Sequence, residues 1–141
     1  MVAQGREGVT LKRKTKKPKR SSLTRKADAL ASKVVRARGY CQMKLGLDTP
    51  CGGDWQCCHV IGRRYRSTRW DERNLLCGCR DHHVYWTHRP EGFVLAIQRE
   101  HPGLYEELWS RAQQTWDKQY PISALEESLS ALNLSALSQE T

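Results

Sequence analysis

The sequence predicts an α+β fold in which two short strands and a helix form a small core and further α-helices flank it. Residues 55–61 and 75–77 are apolar runs of strand length, whereas 24–38, 90–100 and 102–118 carry apolar residues at helical spacing. Between and beside them fall six cysteines (Cys41, Cys51, Cys57, Cys58, Cys77 and Cys79) and most of the five histidines. At 141 residues and 38% hydrophobic composition the chain suits one domain with tails and a modest core. Small cores usually need a staple.

Residues 1–22 hold eight Lys/Arg against Glu7 alone and show almost no apolar periodicity, which predicts a disordered basic arm. Ser22 or Thr24 can cap a helix over about 24–38, with Ala27, Leu30, Ala31, Val34 and Val35 as its apolar stripe and Gly39 as its stop. A turn-rich loop follows, then the strand at 55–61. The arginine-rich stretch 62–73 has neither period and reads as a loop. After the second strand, a helix starts at Asp81 and runs to about Thr87. Pro90 and Pro102 each suit the first turn of a helix, the first burying Phe93, Val94 and Ile97. The second presents Leu104, Tyr105, Leu108, Trp109, Ala112 and Trp116 to the core. The domain is thus expected over 23–118, with 119–141 a flexible or weakly helical tail.

The net charge of +9 is unevenly placed: Arg63, Arg64, Arg66, Arg69 and Arg73 crowd the middle, while seven acids from Glu100 onward face only Arg111 and Lys118. A basic front and an acidic back suggest a directional contact with a polyanion such as DNA. No apolar run is long enough to span a bilayer, so no membrane partner is expected. The N-terminus lacks the apolar segment of a secretory signal, and a reducing, cytoplasmic setting is expected, where cysteines serve as metal ligands more often than as disulfides.

Cys41, Cys51, Cys79 and His82 form two pairs that bracket the centre of the chain. Three thiolates and an imidazole select Zn²⁺, and a closed tetrahedral site needs four such donors. Cys79-x-x-His82 has the tight spacing of a ligand pair at a helix start, whereas the nine residues between Cys41 and Cys51 are a longer gap than usual. Cys57 or Cys77 could replace one of the four. Buried free thiols are the plainer reading of Cys57 and Cys77.

Cys58-His59, Asn74 and the closing Cys79-x-x-His82-His83, set within two short strands and a helix, resemble the HNH (ββα-metal, His-Me finger) endonucleases. RRYRSTRWDERN further resembles the small phage HNH proteins and their NinG-like recombination branch. The resemblance covers about 24–118 and is most specific over 55–90. It implies a divalent-cation-dependent DNA endonuclease or nickase, phage-encoded or prophage, acting in a bacterial host in recombination, replication or packaging, with proteins of those processes as partners. It also implies catalytic roles for His59, Asn74 and His83. An imidazole titrating near neutrality can take a proton from water, the part His59 would play. His83 would hold the cation (Mg²⁺, Mn²⁺, Ni²⁺ or Zn²⁺), and the Asn74 amide would bridge backbone groups so that His59 points correctly.

Many members carry Asp or His immediately before the base histidine as a second metal ligand. This chain has Cys58, whose soft thiolate suits Mn²⁺, Ni²⁺ or Zn²⁺ better than Mg²⁺. Either Cys58 ligates a softer ion, or water and the phosphate complete a site anchored by His83. His88 is a further donor on the same helix. Arg63, Arg64, Arg66 and Arg69 would contact phosphates beside the cut, with Tyr65 interleaved and Trp70 anchoring the loop in the core. Such contacts position DNA without reading its sequence. A zinc-containing DNA-binding module without catalysis, or a basic RNA-associated zinc protein, shares much of this composition. The second does not need Asn74 or the adjacent His82-His83. Oligomeric state is left open by the sequence.

Overall fold

The computed structural model describes residues 19–114 and 120–140, so most of the basic arm and Trp116 lie outside the described residues. The fold is α+β. Helix α1 (Arg20–Arg36) leads through a long loop to strand β1 (Trp55–His59). One turn of helix α2 (Arg66–Arg69) and a 3-10 turn (Glu72–Asn74) precede β2 (Leu75–Cys79). Then come α3 (Arg80–Thr87), α4 (Pro90–Glu100), α5 (Leu104–Ala112) and α6 (Ile122–Gln139). Among the described residues, no helix is long and apolar enough to cross a membrane.

The two strands pair antiparallel, with Trp55 opposite Cys79, Cys57 opposite Cys77 and His59 opposite Leu75. All five residues of β2 are buried, so the ribbon separates two apolar clusters. Successive side chains point to opposite faces. Cys58 and Leu76 join Met43, Trp86, Ile97 and Leu108 on the face toward α3, α4 and α5. Leu75 and Cys77 join Ala27, Ala31, Val35, Trp70, Leu125 and Leu132 on the face toward α1 and α6. Gly78 is required by this layering. A Cβ there would stand 2.5 Å from Met43 Cγ and 2.9 Å from Cys58 Sγ.

Helix α1 begins at Arg20, one turn earlier than the sequence suggests, and neither Ser22 nor Thr24 caps it. Lys19 stands at the N-cap, with no side-chain cap bond. Leu23 explains the extension, because Leu23, Ala27, Ala31 and Val35 form an unbroken i, i+4 ladder that is buried throughout. Gly39, with φ of +73°, turns the chain away after the last helical residues, as expected.

The ladder's partner is α6, in the stretch expected to be a flexible or weakly helical tail. Leu125 and Leu132 are each 1% exposed there. The pairing is clamped at both ends. Arg20 donates to the Tyr120 carbonyl at 2.6 Å, and the Gln139 amide donates to the Val34 carbonyl at 2.8 Å. The alanines of α1 let a leucine-bearing helix approach closely, a complementarity that the 119–141 stretch cannot display by itself.

The arginine-rich stretch is also more ordered than a plain loop. The Tyr65 carbonyl accepts from the Thr68 and Arg69 amides, and the Asp71 carboxylate accepts from the Arg73 amide. Trp70 is buried, its ring centroid 5.8 Å from that of Tyr120. Helix α4 matches its expected span. Helix α5 starts at Leu104, after Gly103 at φ +84°. Leu108 and Ala112 are buried on α5 as expected, but Trp109 is 37% exposed.

Candidate functional site

Local pairing assembles the cysteine and histidine cluster. Just after α1, Gln42 runs alongside β2: its amide donates to the Cys77 carbonyl at 2.6 Å, and its side-chain oxygen accepts from the Cys77 amide at 2.9 Å. Arg38 holds that side-chain oxygen from the other side at 2.8 Å and also reaches the Leu75 carbonyl. Cys41 is thereby brought beside Cys79. The amides of Arg80 and Asp81, opening α3, donate to the Asp54 and Gly52 carbonyls at 3.0 Å each, which brings in Cys51. Cys79 itself caps α3, its Sγ accepting from the His82 amide at 3.4 Å.

The four ligand atoms of Cys41, Cys51, Cys79 and His82 lie within 4.8 Å of one another. From His82 Nδ1 the three sulfurs stand at 3.5, 3.8 and 3.2 Å. Around a tetrahedral zinc with bonds of about 2.3 Å to sulfur and about 2.0–2.1 Å to nitrogen, such edges are about 3.6 Å. His82 Nε2 lies 3.0 Å from the Thr49 carbonyl oxygen and 3.0 Å from its hydroxyl. An Nε2–H donated to that carbonyl leaves the Nδ1 lone pair facing the sulfurs. The cluster could therefore hold a metal such as zinc.

Its charge balance favours the same use. Burial pushes the Cys79 thiol up. The backbone N–H groups of His82 and Gly52 and the neighbouring thiols outweigh this and hold it below its ordinary value. Desolvation and the thiols of Cys41 and Cys79 push Cys51 up to about 11. A cation at the centre favours the thiolate form of each of these cysteines. Cys57 and Cys77, the alternative ligands, are engaged elsewhere: Cys77 is fully buried in the apolar cluster under α1, and Cys57 packs against that cluster.

His59 and His83 come together from the end of β1 and the first turn of α3. Together with Gly62 they line two adjoining depressions, one toward α1 and one toward α4 and α5. The depression toward α1 shares Asp28 and Arg63 with a groove that also carries Arg20, Arg25, Arg66 and Arg69. Burial pushes His59 down to about 4, with the Arg63 guanidinium adding to the effect, so its imidazole is neutral at physiological pH. Burial lowers His83 as well. His83 Nδ1 lies 2.6 Å from Gln56 Oε1, so a proton on Nδ1 leaves Nε2 as the free donor.

Asn74 is fully buried, and its side chain makes both bonds open to a bridging amide. Its Oδ1 accepts from the Ile61 amide at 2.7 Å, and its Nδ2 donates to the Ile61 carbonyl at 3.0 Å. Its own carbonyl accepts from the Val60 amide at 2.9 Å. The turn leaving His59 is thus tied to the start of β2.

Cys58 lines the depression toward α4 and α5 together with His59 and His83. It is 1% exposed within the apolar cluster, and burial followed by the neighbouring Cys57 and Cys77 thiols pushes its pKa far up. His88 stands exposed at the end of α3. Among the described residues, Cys41, Cys51, Cys79 and His82 are the one group of three or more such side chains gathered for a metal.

The four arginines divide. Arg63 and Arg64 are exposed, while Arg66 donates to the Thr24 hydroxyl at 3.1 Å. Arg69 is committed to Asp28 of α1, Nε to Oδ1 at 3.0 Å and an outer nitrogen to Oδ2 at 2.6 Å, with its side chain 13% exposed. Asp28 also accepts from Trp70 Nε1 at 2.9 Å and from Arg63 at 3.1 Å. Asp28 is a residue that sequence reasoning misses, since it reads as one more polar position on an amphipathic helix. Gln56 is missed as well, although its alternation with Cys58 along β1 is a usable signal.

Burial pushes the Asp28 carboxyl up, but its bonds to Arg69 and Trp70 outweigh this and hold it below the usual range. The group's stabilisation is therefore full above the ordinary carboxylate value and lost as pH falls through the depressed one. Asp28→Ala should destabilise the fold by about 2–3 kcal/mol, less than a fully buried pair because the carboxylate is partly exposed. Urea unfolding at pH 7 measures it, and a change below about 0.5 kcal/mol would remove Asp28 as the loop's anchor.

No family model, curated protein or solved structure matches the chain.

Proposed function

We propose that the protein is a metal-dependent DNA endonuclease or nickase of the HNH type, with Zn²⁺ at Cys41, Cys51, Cys79 and His82 as a structural staple. The observation carrying this reading is that His59 and His83 both line a depression toward α1 that runs into an arginine-lined groove. His59, neutral and held beside Arg63, takes the proton from the attacking water. Asn74 fixes the turn that aims it. His83, with Nδ1 engaged by Gln56, offers Nε2 to a divalent cation, and an imidazole donor suits Mn²⁺, Ni²⁺ or Zn²⁺. Bound at the phosphate, such an ion supplies Lewis-acid charge. Arg20, Arg25, Arg63 and Arg64 give the flanking phosphates their counter-charges. The resemblance to small phage enzymes points to DNA recombination, replication or packaging as the setting.

Supercoiled plasmid incubated with Mg²⁺, Mn²⁺, Ni²⁺ or Zn²⁺ tests the reading. Wild type should nick, and His59→Ala should be slower by about 10²–10⁴-fold. The acid limb of kcat/KM should fall well below the ordinary histidine value of about 6.5, because a base whose pKa is depressed stays unprotonated until lower pH. A limb near 6.5 would be at odds with His59, as placed here, being the base.

A non-catalytic zinc-containing DNA-binding module is the second reading, favoured by the burial of Cys58 at the position where related enzymes carry a second ligand. Tight DNA binding with no nicking under any of the four ions would decide for it.

A further inference from the structure

Of the two depressions at His59 and His83, the one toward α4 and α5 has a composition the hydrolytic reading does not require. Its volume is about 290 Å³. Its wall is aromatic, built from Tyr65 before α2, Trp86 of α3, Phe93 of α4, and Tyr105 and Trp109 of α5. No acidic residue is among the described residues that line it. The Tyr65 and Trp109 rings meet edge-on at 5.3 Å between centroids, while Tyr105 and Trp109 lie nearly parallel at 6.5 Å and 5°. Trp86 is fixed from behind, its Nε1 donating to the Met43 carbonyl at 2.6 Å. On α5 Leu108 and Ala112 are buried, whereas Trp109 is 37% exposed and leaves part of its ring open beside Tyr65 and Tyr105.

We propose that this pocket receives an unpaired nucleobase of the strand being cut, so that the preferred substrate is DNA with an unpaired nucleotide at the scissile phosphate. The inference rests on the nuclease reading, because the two histidines in the same pocket set where that phosphate lies. A nucleobase is a flat, uncharged ring system whose faces stack on aromatic side chains irrespective of sequence. The Arg64 guanidinium stacks on Tyr65 with its carbon 5.0 Å from the ring centroid and puts a positive charge beside the pocket for the adjoining phosphate. A base within an intact duplex is already stacked and paired, and extracting it costs free energy that an unpaired base does not require. The apolar wall therefore discriminates by base availability, and the arginine groove by charge.

The test compares three otherwise identical DNAs: a perfect duplex, a duplex with a one-nucleotide bulge, and one with an abasic bulge. Wild type should cut at the base-bearing bulge about fivefold to a hundredfold more efficiently than at either of the others, in keeping with one stacked base. Trp109→Ala should bring that ratio toward one, and Trp109→Phe should restore most of it. Equal cutting of base-bearing and abasic bulges by wild type would overturn the proposal, an outcome that does not depend on how any variant folds. Binding is read separately by 2-aminopurine placed in the bulge, using His59→Ala protein. Quenching on binding that Trp109→Ala abolishes supports the pocket even if no DNA is ever nicked, in which case the hydrolytic reading alone falls. Fluorescence unchanged on tight binding overturns the pocket while leaving hydrolysis to the plasmid assay.

Discussion

Protein unfolded in chelator and reductant, then returned to native buffer without metal, should not regain a cooperative thermal transition, and about one equivalent of Zn²⁺ should restore it. The four ligands join three separated pieces of chain: Cys41 after α1, Cys51 in the following loop, and Cys79 with His82 at the junction of β2 and α3. Hydrogen bonds at Gln42, Gly52 and Asp54 and the burial of Met43 and Leu45 also hold the intervening loop to the ribbon, but none of them joins all three pieces at one point. Structural zinc in small domains contributes on the order of 10 kcal/mol at neutral pH, comparable with the whole stability of a domain this size. Without a cation, desolvation and the thiols of Cys41 and Cys79 hold the Cys51 pKa up. His82→Ala should behave as the metal-free protein does, since it removes the donor that Thr49 holds in place. Metal-free protein melting at the same temperature as zinc-loaded protein would show that the cluster is no staple.

Asn74→Ala should lower stability by about 2–6 kcal/mol, because it strands the amide and carbonyl of Ile61, both buried, at about 1–3 kcal/mol for each unsatisfied group. The melting temperature should fall by about 10 °C or more. Asn74→Asp keeps the acceptor but sets a carboxylate against the Ile61 carbonyl, so it should not rescue. Under the nuclease reading both variants lose nicking at temperatures where they remain folded, since the turn leaving His59 is no longer held. An Asn74→Ala protein with unchanged melting and full nicking would mean that the amide bridge orders nothing.

Much of the metal cluster was legible because its signal is chemical as well as local: Cys79-x-x-His82 at a helix start, with two further cysteines in a turn-rich loop. The two short strands, α4 and the core of α5 follow from periodicity over a few residues. Other features carried weaker signals. The arginines of 62–73 look interchangeable in sequence, yet Arg69 is captured by a carboxylate 41 residues earlier, while Arg64 faces solvent. Trp109 fits a buried stripe by spacing, but the arrangement of Tyr65 and Tyr105 leaves part of its ring open.

The sequence by itself determined which side chains can bind metal, the approximate places of the two strands and of most helices before residue 113, and that His59, Asn74 and His83 follow one another in the order resembling HNH enzymes. Only the tertiary structure decided that Cys58 turns into the apolar cluster, that Asp28 binds the arginine loop to α1, and that 122–139 folds as a helix on α1. The physical reason is common to all three. Strand alternation states which residues share a face but not which face meets solvent. Likewise, an ion pair or a helix-on-helix contact depends on partners distant in the chain.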